Sequence, residues 1–457
     1  MKVGFISLGC SKNQIDTEIM LKLLVDEGHE IVQEDIHAEC MIVNTCAFIA
    51  SAKQEAIDNI LDVAWLKEHR ELKGIVVCGC LAERYREEIF KELPEVDALV
   101  GVGGIKSIAA AVQSIETRAN SGVEGASDGA TDDPAAGKYV CFDDKEKLEL
   151  GGDRVITTPE YMAYIKIAEG CDNRCSYCAI PNIRGSFRSR TIESIVEEAA
   201  MLADMGVREL NIVAQDTTRY GEDLYGELKL PALLRELEKI DGIRWIRLLY
   251  CYPERITDEL IDHMAASEKI VPYIDMPIQH ISDSVLARMN RKGNRASIEV
   301  VIKKLRAKVK GIVLRTTVLV GFPGETKEDF AQLCEFLKEA KFERLGAFAY
   351  SQEEDTPAAD FADQVDEKAR THRADIIMRS QNKILEQFNR SRMGKVLNVL
   401  VEGFDPVSEA YYGRSSADAP EIDGKVYFAA DPVIKEGDFV NVKVIEVLDF
   451  DVFGETV

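Results

Sequence analysis

Short apolar runs alternate with amphipathic helical patterns twice along this chain, and a stretch almost without apolar residues separates the two series. In the first, Val3–Leu8, Met41–Asn44 and Ile75–Gly79 read as buried parallel strands. Helical patterns over Ile15–Glu27, Lys53–Glu68 and Glu83–Glu92 follow them. Such alternation predicts an α/β fold that opens with a doubly wound parallel sheet over residues 1–117. The second series has apolar runs at Ala163–Ala168, Glu209–Ala214, Trp245–Tyr250, Tyr273–Met276, Val313–Val320 and Leu345–Tyr350. Helical segments near Ile192–Met205, Pro231–Lys239, Thr257–Ala266, Ser282–Asn290, Ser297–Lys308 and Lys327–Ala340 sit between and after them. Six βα units predict a partial (β/α)6 barrel over residues 158–390, closed by a helix near Asp366–Arg390, with function at the carboxyl ends of its strands. The run between the series, ANSGVEGASDGATDDPAAGK at 119–138, cannot offset its ordering entropy and is expected to be a flexible linker or loop within 118–157. Residues 391–457 turn β-rich, with Val396–Val401, Val426–Phe428 and Phe439–Val447 between Gly and Asp turns, which predicts a small antiparallel barrel.

The compartment decides how the 11 cysteines are read. The opening MKVGFISLGC is too short for a signal peptide, and no stretch approaches the roughly 18 uncharged apolar residues of a membrane span. A cytoplasmic chain is expected, where thiols stay reduced and clustered cysteines point to metal or catalysis. Cys40, Cys78, Cys141, Cys251 and Cys334 stand apart and read as small apolar core residues. His29, His37, His69, His263, His280 and His372 form no catalytic pattern.

Glu169–Arg190 reads EGCDNRCSYCAIPNIRGSFRSR, placing Cys171, Cys175 and Cys178 on one loop directly after a predicted strand. Three thiolates at C-x3-C-x2-C spacing can ligate three irons of a [4Fe–4S] cubane and leave the fourth open. A structural zinc would need a fourth protein ligand, and none is adjacent. This triplet, set in a βα series, resembles the signature of the radical S-adenosylmethionine (SAM) superfamily. The resemblance implies that SAM chelates the open iron and that one electron cleaves it to methionine and a 5′-deoxyadenosyl radical. Tyr177 is then a candidate to lie against the adenine, or a packing residue. Gln215 and Asp216, after the second barrel strand, are candidate partners for SAM's polar groups. Gly321, in VGFPGET, would either admit the ligand to the backbone or serve a plain turn. Arg184, Arg188 and Arg190 could hold a carboxylate, of SAM or substrate, or be solvated.

Cys10, Cys46 and Cys80 are distant in sequence, yet each lies one or two residues past a predicted parallel strand, in FISLGC, MIVNTC and VVCGC. Loops at such ends converge on the crevice of an open α/β sheet. Three thiolates meeting there could hold a second cubane. SLGCSKNQIDTE, NTC and GC at these places, then the triplet, then a final segment resembling the TRAM domain (Gly413-Arg414 and Ala419–Gly424), make the whole chain similar to the methylthiotransferase family. That resemblance implies two [4Fe–4S] clusters. The auxiliary one, on Cys10, Cys46 and Cys80, carries sulfur that is methylated and joined to an unreactive carbon, converting C–H to C–S–CH3. It also implies an electron donor and a sulfur source.

The family divides between transfer-RNA adenosine and a ribosomal-protein aspartate. SLGCSKNQIDTE, IPNIRGSFRSR and DMPIQH resemble the second branch, whose target is the β-carbon of one aspartate in a basic protein of the small subunit. Charge points the same way. The chain carries 80 acidic against 56 basic residues, a net −24, and Gly394–Val457 has thirteen acidic and five basic residues. A module that grips RNA needs Lys and Arg to displace counterions, whereas this one repels phosphate and suits a basic protein. Nucleic acid and membrane are therefore not expected as main partners. A transfer-RNA methylthiotransferase and a non-catalytic two-cluster electron carrier are the competing readings. A carrier has no need of a βα barrel or of an open iron.

Overall fold

The computed structural model describes residues 1–33, 35–121, 135–430 and 434–457; of the loop expected over 119–138, residues 122–134 lie outside them. The amino-terminal unit is a parallel sheet of β1 (Lys2–Ser7), β2 (Glu30–Val32), β3 (Cys40–Thr45), β4 (Gly74–Gly79), β5 (Ala98–Val100) and β6 (Tyr139–Cys141). Its order is β2-β1-β3-β4-β5-β6. Side chains alternate across a strand, so β3 feeds two cores at once. Cys40 and Ile42 pack with Met20, Leu24, Val112 and Ile115 from the helices Ser11–Asp26 and Ile108–Ser121. Met41 and Val43 pack with Ala56, Ile60 and Val63 of the helix Ala50–His69 on the other face. This is the doubly wound sheet the alternation predicts. The strand β6 comes from within the segment read as linker, joining the sheet edge through only three residues, too few to show a pattern. The helix expected over Glu83–Glu92 is two short ones, Cys80–Tyr85 and Glu88–Glu92, parted at Arg86 with φ +45°.

The central unit carries β7 (Met162–Lys166), a small antiparallel pair of β8 (Ala168–Glu169) with β9 (Arg188–Ser189), then β10 (Glu209–Val213), β11 (Trp245–Leu248), β12 (Ile270–Asp275), β13 (Val313–Val320) and β14 (Arg344–Ala349). Its six main strands are parallel and in the open order β14-β13-β12-β11-β10-β7, the partial barrel expected. The outer helices bury Ile195, Leu202, Leu233, Leu260, Leu305 and Leu333 against the sheet.

The last five strands, β15 (Val396–Asp405), β16 (Ala410–Ser415), β17 (Val426–Ala429), β18 (Phe439–Val447) and β19 (Val452–Thr456), close into a barrel. All pairs are antiparallel except β17 with β19. Gly413 lets β16 press on β15, since a Cβ there would stand 2.1 Å from the Leu400 carbonyl oxygen.

This small barrel docks at the amino ends of the central strands. Arg414 Nη2 donates to Glu209 at 2.6 Å, Arg247 Nη1 donates to the Ser416 carbonyl at 2.9 Å, and Tyr273 donates to Asp423 at 2.7 Å. Asp418, fully buried, pairs with Arg344 and, at 3.0 Å, with Arg392. Burial alone would favour its protonated form, but the two guanidinium groups outweigh it and hold the carboxyl well below its usual range. Asp418→Asn leaves Arg392 buried without a carboxylate and Arg344 with only Asp423 at 3.8 Å, a loss of about 3–5 kcal/mol. Urea unfolding is expected to move to lower denaturant by that amount, with iron content unaltered.

Candidate functional site

Gly9-Cys10, Cys46 and Cys80 follow the carboxyl ends of β1, β3 and β4. Cys10 occupies the N-cap of the helix Ser11–Asp26, and its thiol spends no hydrogen bond on the cap. Gly9 takes φ +94°, and a Cβ on it would lie 2.8 Å from the Cys46 Cβ, so glycine alone lets these two loops abut. The thiols are free, and Cys46 and Cys80 both feel the charge of Cys10. Burial pushes Cys80 up to about 12 and raises Cys46. Burial would raise Cys10 too, but Lys12 and Arg184 beside it bring it below its ordinary value.

The second trio sits on the loop between β8 and β9. Backbone bonds pin that loop from three sides: Cys171 N–H to the Gly185 carbonyl at 3.0 Å, Ser176 N–H to Met289 at 3.0 Å, and Ala358 N–H to the Ser176 carbonyl at 2.8 Å. Cys178 feels both Cys175 and Cys171, and the Tyr252 hydroxyl stands 4.0 Å from Cys175 Sγ. Burial drives Cys171 to about 11. Coordination by iron reverses such a shift, because a ligating thiol is deprotonated outright. Among the described residues no three His, Cys, Asp or Glu side chains converge on a point fit for a single ion. A cubane asks for something else, since each thiolate takes its own iron. Two gathered sets of three free thiols, the first of them also beside the cations Lys12 and Arg184, fit two such clusters.

A buried ion network joins the sites. Asp16, on the helix that Cys10 caps, accepts from Lys166 at 2.5 Å and from Arg184 at 2.9 Å. Glu169, two residues before Cys171, accepts from the same two cations at 2.7 and 3.0 Å, and from Gln215 at 2.9 Å. Arg184 also reaches Asn13 at 3.2 Å and hydrogen-bonds the Cys80 thiol. It is only 1% exposed. Thus one guanidinium, six residues past Cys178, touches the other trio.

The remaining sequence-predicted residues divide. Among the described residues Gln215 Oε1 has no partner, leaving the acceptor a ligand would need. Tyr177 is half-buried against Phe322, Tyr350 and Val285. Asp216 is buried and bound to Asn173 and Arg255, both at 2.9 Å. Gly321 takes φ +70°, and a Cβ there would meet Arg370 Cγ at 2.4 Å, so packing on the helix Glu367–Ser391 accounts for it. Arg188 gives Nη1 to the carbonyls of Glu146 and Leu148 while its Nε and Nη2 make no hydrogen bond among the described residues, and Arg190 is tied to Glu198 and Ser194. Asp16, Lys166 and Glu169 escaped the sequence reading. Their only signal was polarity within otherwise apolar patterns, which does not name a partner.

Residues 2–101 match the model of Uncharacterized protein family UPF0004, residues 165–337 that of the Radical SAM superfamily, and residues 393–457 that of the TRAM domain. Among solved structures the fold is similar to the radical SAM methyltransferase TsrM from Kitasatospora setae with cobalamin and a [4Fe-4S] cluster bound. That likeness has a TM-score of 0.55 at 18% identity, over 78% of this chain and 76% of that one. With the cysteine geometry, these define a radical SAM enzyme. Over its whole length the chain is 48% identical to the ribosomal protein uS12 methylthiotransferase RimO of Acetivibrio thermocellus, covering 98% of it, and 47% identical to that of Thermoanaerobacter sp. strain X514, covering 99%. The chain belongs to the RimO family of methylthiotransferases, whose cofactors are two [4Fe–4S] clusters and SAM.

Two trios set an iron content. Anaerobic reconstitution is expected to load about eight irons per chain, and about four when Cys171, Cys175 and Cys178 are all replaced by Ala. Iron and sulfide analysis reads both numbers, and an undiminished load in the triple variant would separate those thiols from any cluster.

Proposed function

We propose that this methylthiotransferase acts on ribosomal protein uS12, adding a methylthio group to the β-carbon of one aspartate, with Cys171, Cys175 and Cys178 holding the SAM-cleaving cluster and Cys10, Cys46 and Cys80 the auxiliary one. The observation that carries this is the union of both trios through Arg184, which makes one site from two domains. When bound, the clusters and SAM supply the radical and the sulfur. The chain's own residues orient and enclose. Glu169 is locked by Lys166 and Arg184, and it holds Gln215 so that Oε1 faces a ligand. Tyr252 and Tyr177 lie beside Cys175 and keep water from it. A reductant supplies the electron, and a sulfur donor restores the auxiliary cluster.

The charge of the terminal barrel supports a basic protein substrate. Some of its acids are spent internally, Asp418 and Glu402 on arginines, while Glu409, Glu421, Glu436, Asp438, Glu446 and Asp449 remain exposed. Because this barrel docks at the amino ends of the central strands, its charge steers a basic partner from a distance and does not touch the target residue. No described helix is long and apolar enough to cross a membrane. We place the enzyme in the cytoplasm, with the ribosomes.

Incubation of the reconstituted enzyme with SAM and reductant, against uS12 and transfer RNA in parallel, tests the reading. Mass spectrometry is expected to find one methylthio group on an aspartate of uS12, at a rate that falls as salt rises. Modification of transfer RNA alone would replace this substrate with the other.

A further inference from the structure

Buried cations at the junction of the sheet domain with the central barrel are paired with carboxylates. Lys166 and Arg184 share Asp16 and Glu169, Arg154 binds Glu18 and Glu198, Arg190 binds Glu198, and Arg315 binds Asp275 at 2.8 Å. Lys12 is the exception. It is 6% exposed, and among the described residues its ammonium has neither an ion pair nor a hydrogen bond. Its close neighbours are the face of Tyr250, with Nζ 3.4 Å from the ring centroid, and the Cys10 thiol, whose pKa its charge lowers. Tyr250 follows β11 at the mouth of the barrel, takes φ +59°, and is tied by its N–H to Asp275 at 3.1 Å. Lys12 therefore reaches from the sheet domain, two residues past Cys10, into the barrel mouth. Glu169 cannot neutralise it, because that carboxylate already serves Lys166, Arg184, Gln215 and the Gly170 N–H.

An unpaired buried ammonium costs several kcal/mol unless something supplies the opposite charge. We propose that Lys12, backed by Tyr250, is the binding subsite for the side-chain carboxylate of the target aspartate, an inference that rests on the uS12 reading above. The acceptor carbon of an aspartate lies next to its own carboxylate. A cation fixed beside the sulfur-bearing trio thus selects an acidic residue and brings its β-carbon to that side of the site. A nucleobase offers no such charge. The methionine end of SAM is the other carboxylate that enters this site, and SAM affinity is the measurement that tells the two apart.

The test uses reconstituted full-length enzyme and peptides spanning the target of uS12 with either Asp or Asn at that position. Wild type is expected to modify the Asp peptide and to bind it about tenfold or more tightly than the Asn peptide, by anisotropy, as a charge-assisted pair implies. Lys12→Met is expected to weaken the Asp peptide alone, erasing the preference, while Lys12→Arg keeps it and SAM affinity by equilibrium dialysis stays as in wild type. A persisting preference in Lys12→Met, or a loss of SAM affinity in its place, overturns the subsite. If Lys12→Met fails to load iron, carbodiimide coupling on wild type decides: a cross-link from Lys12 to the target Asp supports the subsite, and coupling only to other lysines overturns it. Failure of wild type to modify the Asp peptide would instead sink the uS12 reading, and the subsite with it.

Discussion

Four charged groups buried between two domains, Asp16, Lys166, Glu169 and Arg184, hold the site together. None of them is tolerable alone. Without the central barrel, Asp16 would be an uncompensated carboxylate in an apolar face; without the sheet domain, Lys166 and Arg184 would share a single anion. Removing one member of such a set costs about 3–5 kcal/mol, because the others stay buried without a partner. A second ladder, Glu18–Arg154–Glu198–Arg190, runs beside it and ties the same helix to the barrel's outer layer. Ion pairs and hydrogen bonds are directional where apolar contacts are not, so these ladders set the register of one domain on the other. That register is what keeps a trio on the sheet opposite a trio on the barrel.

The two ends of the central barrel are closed by different means. At the amino ends of its strands, the TRAM barrel fills the interior with Arg414, Asp418 and Asp423, each satisfied by Glu209, Arg344 or Tyr273. At the carboxyl ends, Lys12 has no ion pair and the Gln215 Oε1 no hydrogen bond among the described residues. Carboxylates matched to cations across the TRAM interface at one end, and an ammonium with no ion pair among the described residues at the other, mark which end is structure and which is chemistry. The acidic surface of the TRAM barrel belongs to the structural end, where it can attract a basic partner over long range without entering the reaction.

Local signals made much of this legible. The strand β13 and the helix Lys327–Ala340 fall on the residues that their periodicity predicts, the helix being opened by a reciprocal cap between Thr326 and Asp329. The strands β2, β5 and β6 have three residues each and show no period, and β16 and β19 are interrupted by Gly413 and Gly454. The cysteines were found because strand ends and tight spacing are local facts. Arg184 was not understood from sequence. It looked free to bind a ligand carboxylate, yet its anions are Asp16, 168 residues away, and Glu169 across the β8–β9 loop. A long-range buried pairing leaves no mark on either segment's pattern.

All six proposed ligands lie past the carboxyl ends of strands, on loops or, for Cys80, at the first residue of a helix, and the domains meet at those ends. The choice has an electrostatic reason. A cubane with three thiolates is anionic, and a strand that leads into a helix delivers its loop to that helix's positive end. Cys10 shows this most plainly: it sits at the N-cap of a sixteen-residue helix, where a serine or aspartate would use its side chain to satisfy the first N–H groups. Here the N–H groups of Lys12 and Asn13 face the thiol and help to lower its pKa. Arg184 adds a full charge from the opposite domain, and Lys12 another from the first turn. The arginine is balanced by Asp16 and Glu169; the lysine has no carboxylate partner among the described residues, and its charge is shared between the Cys10 side of the site and the substrate.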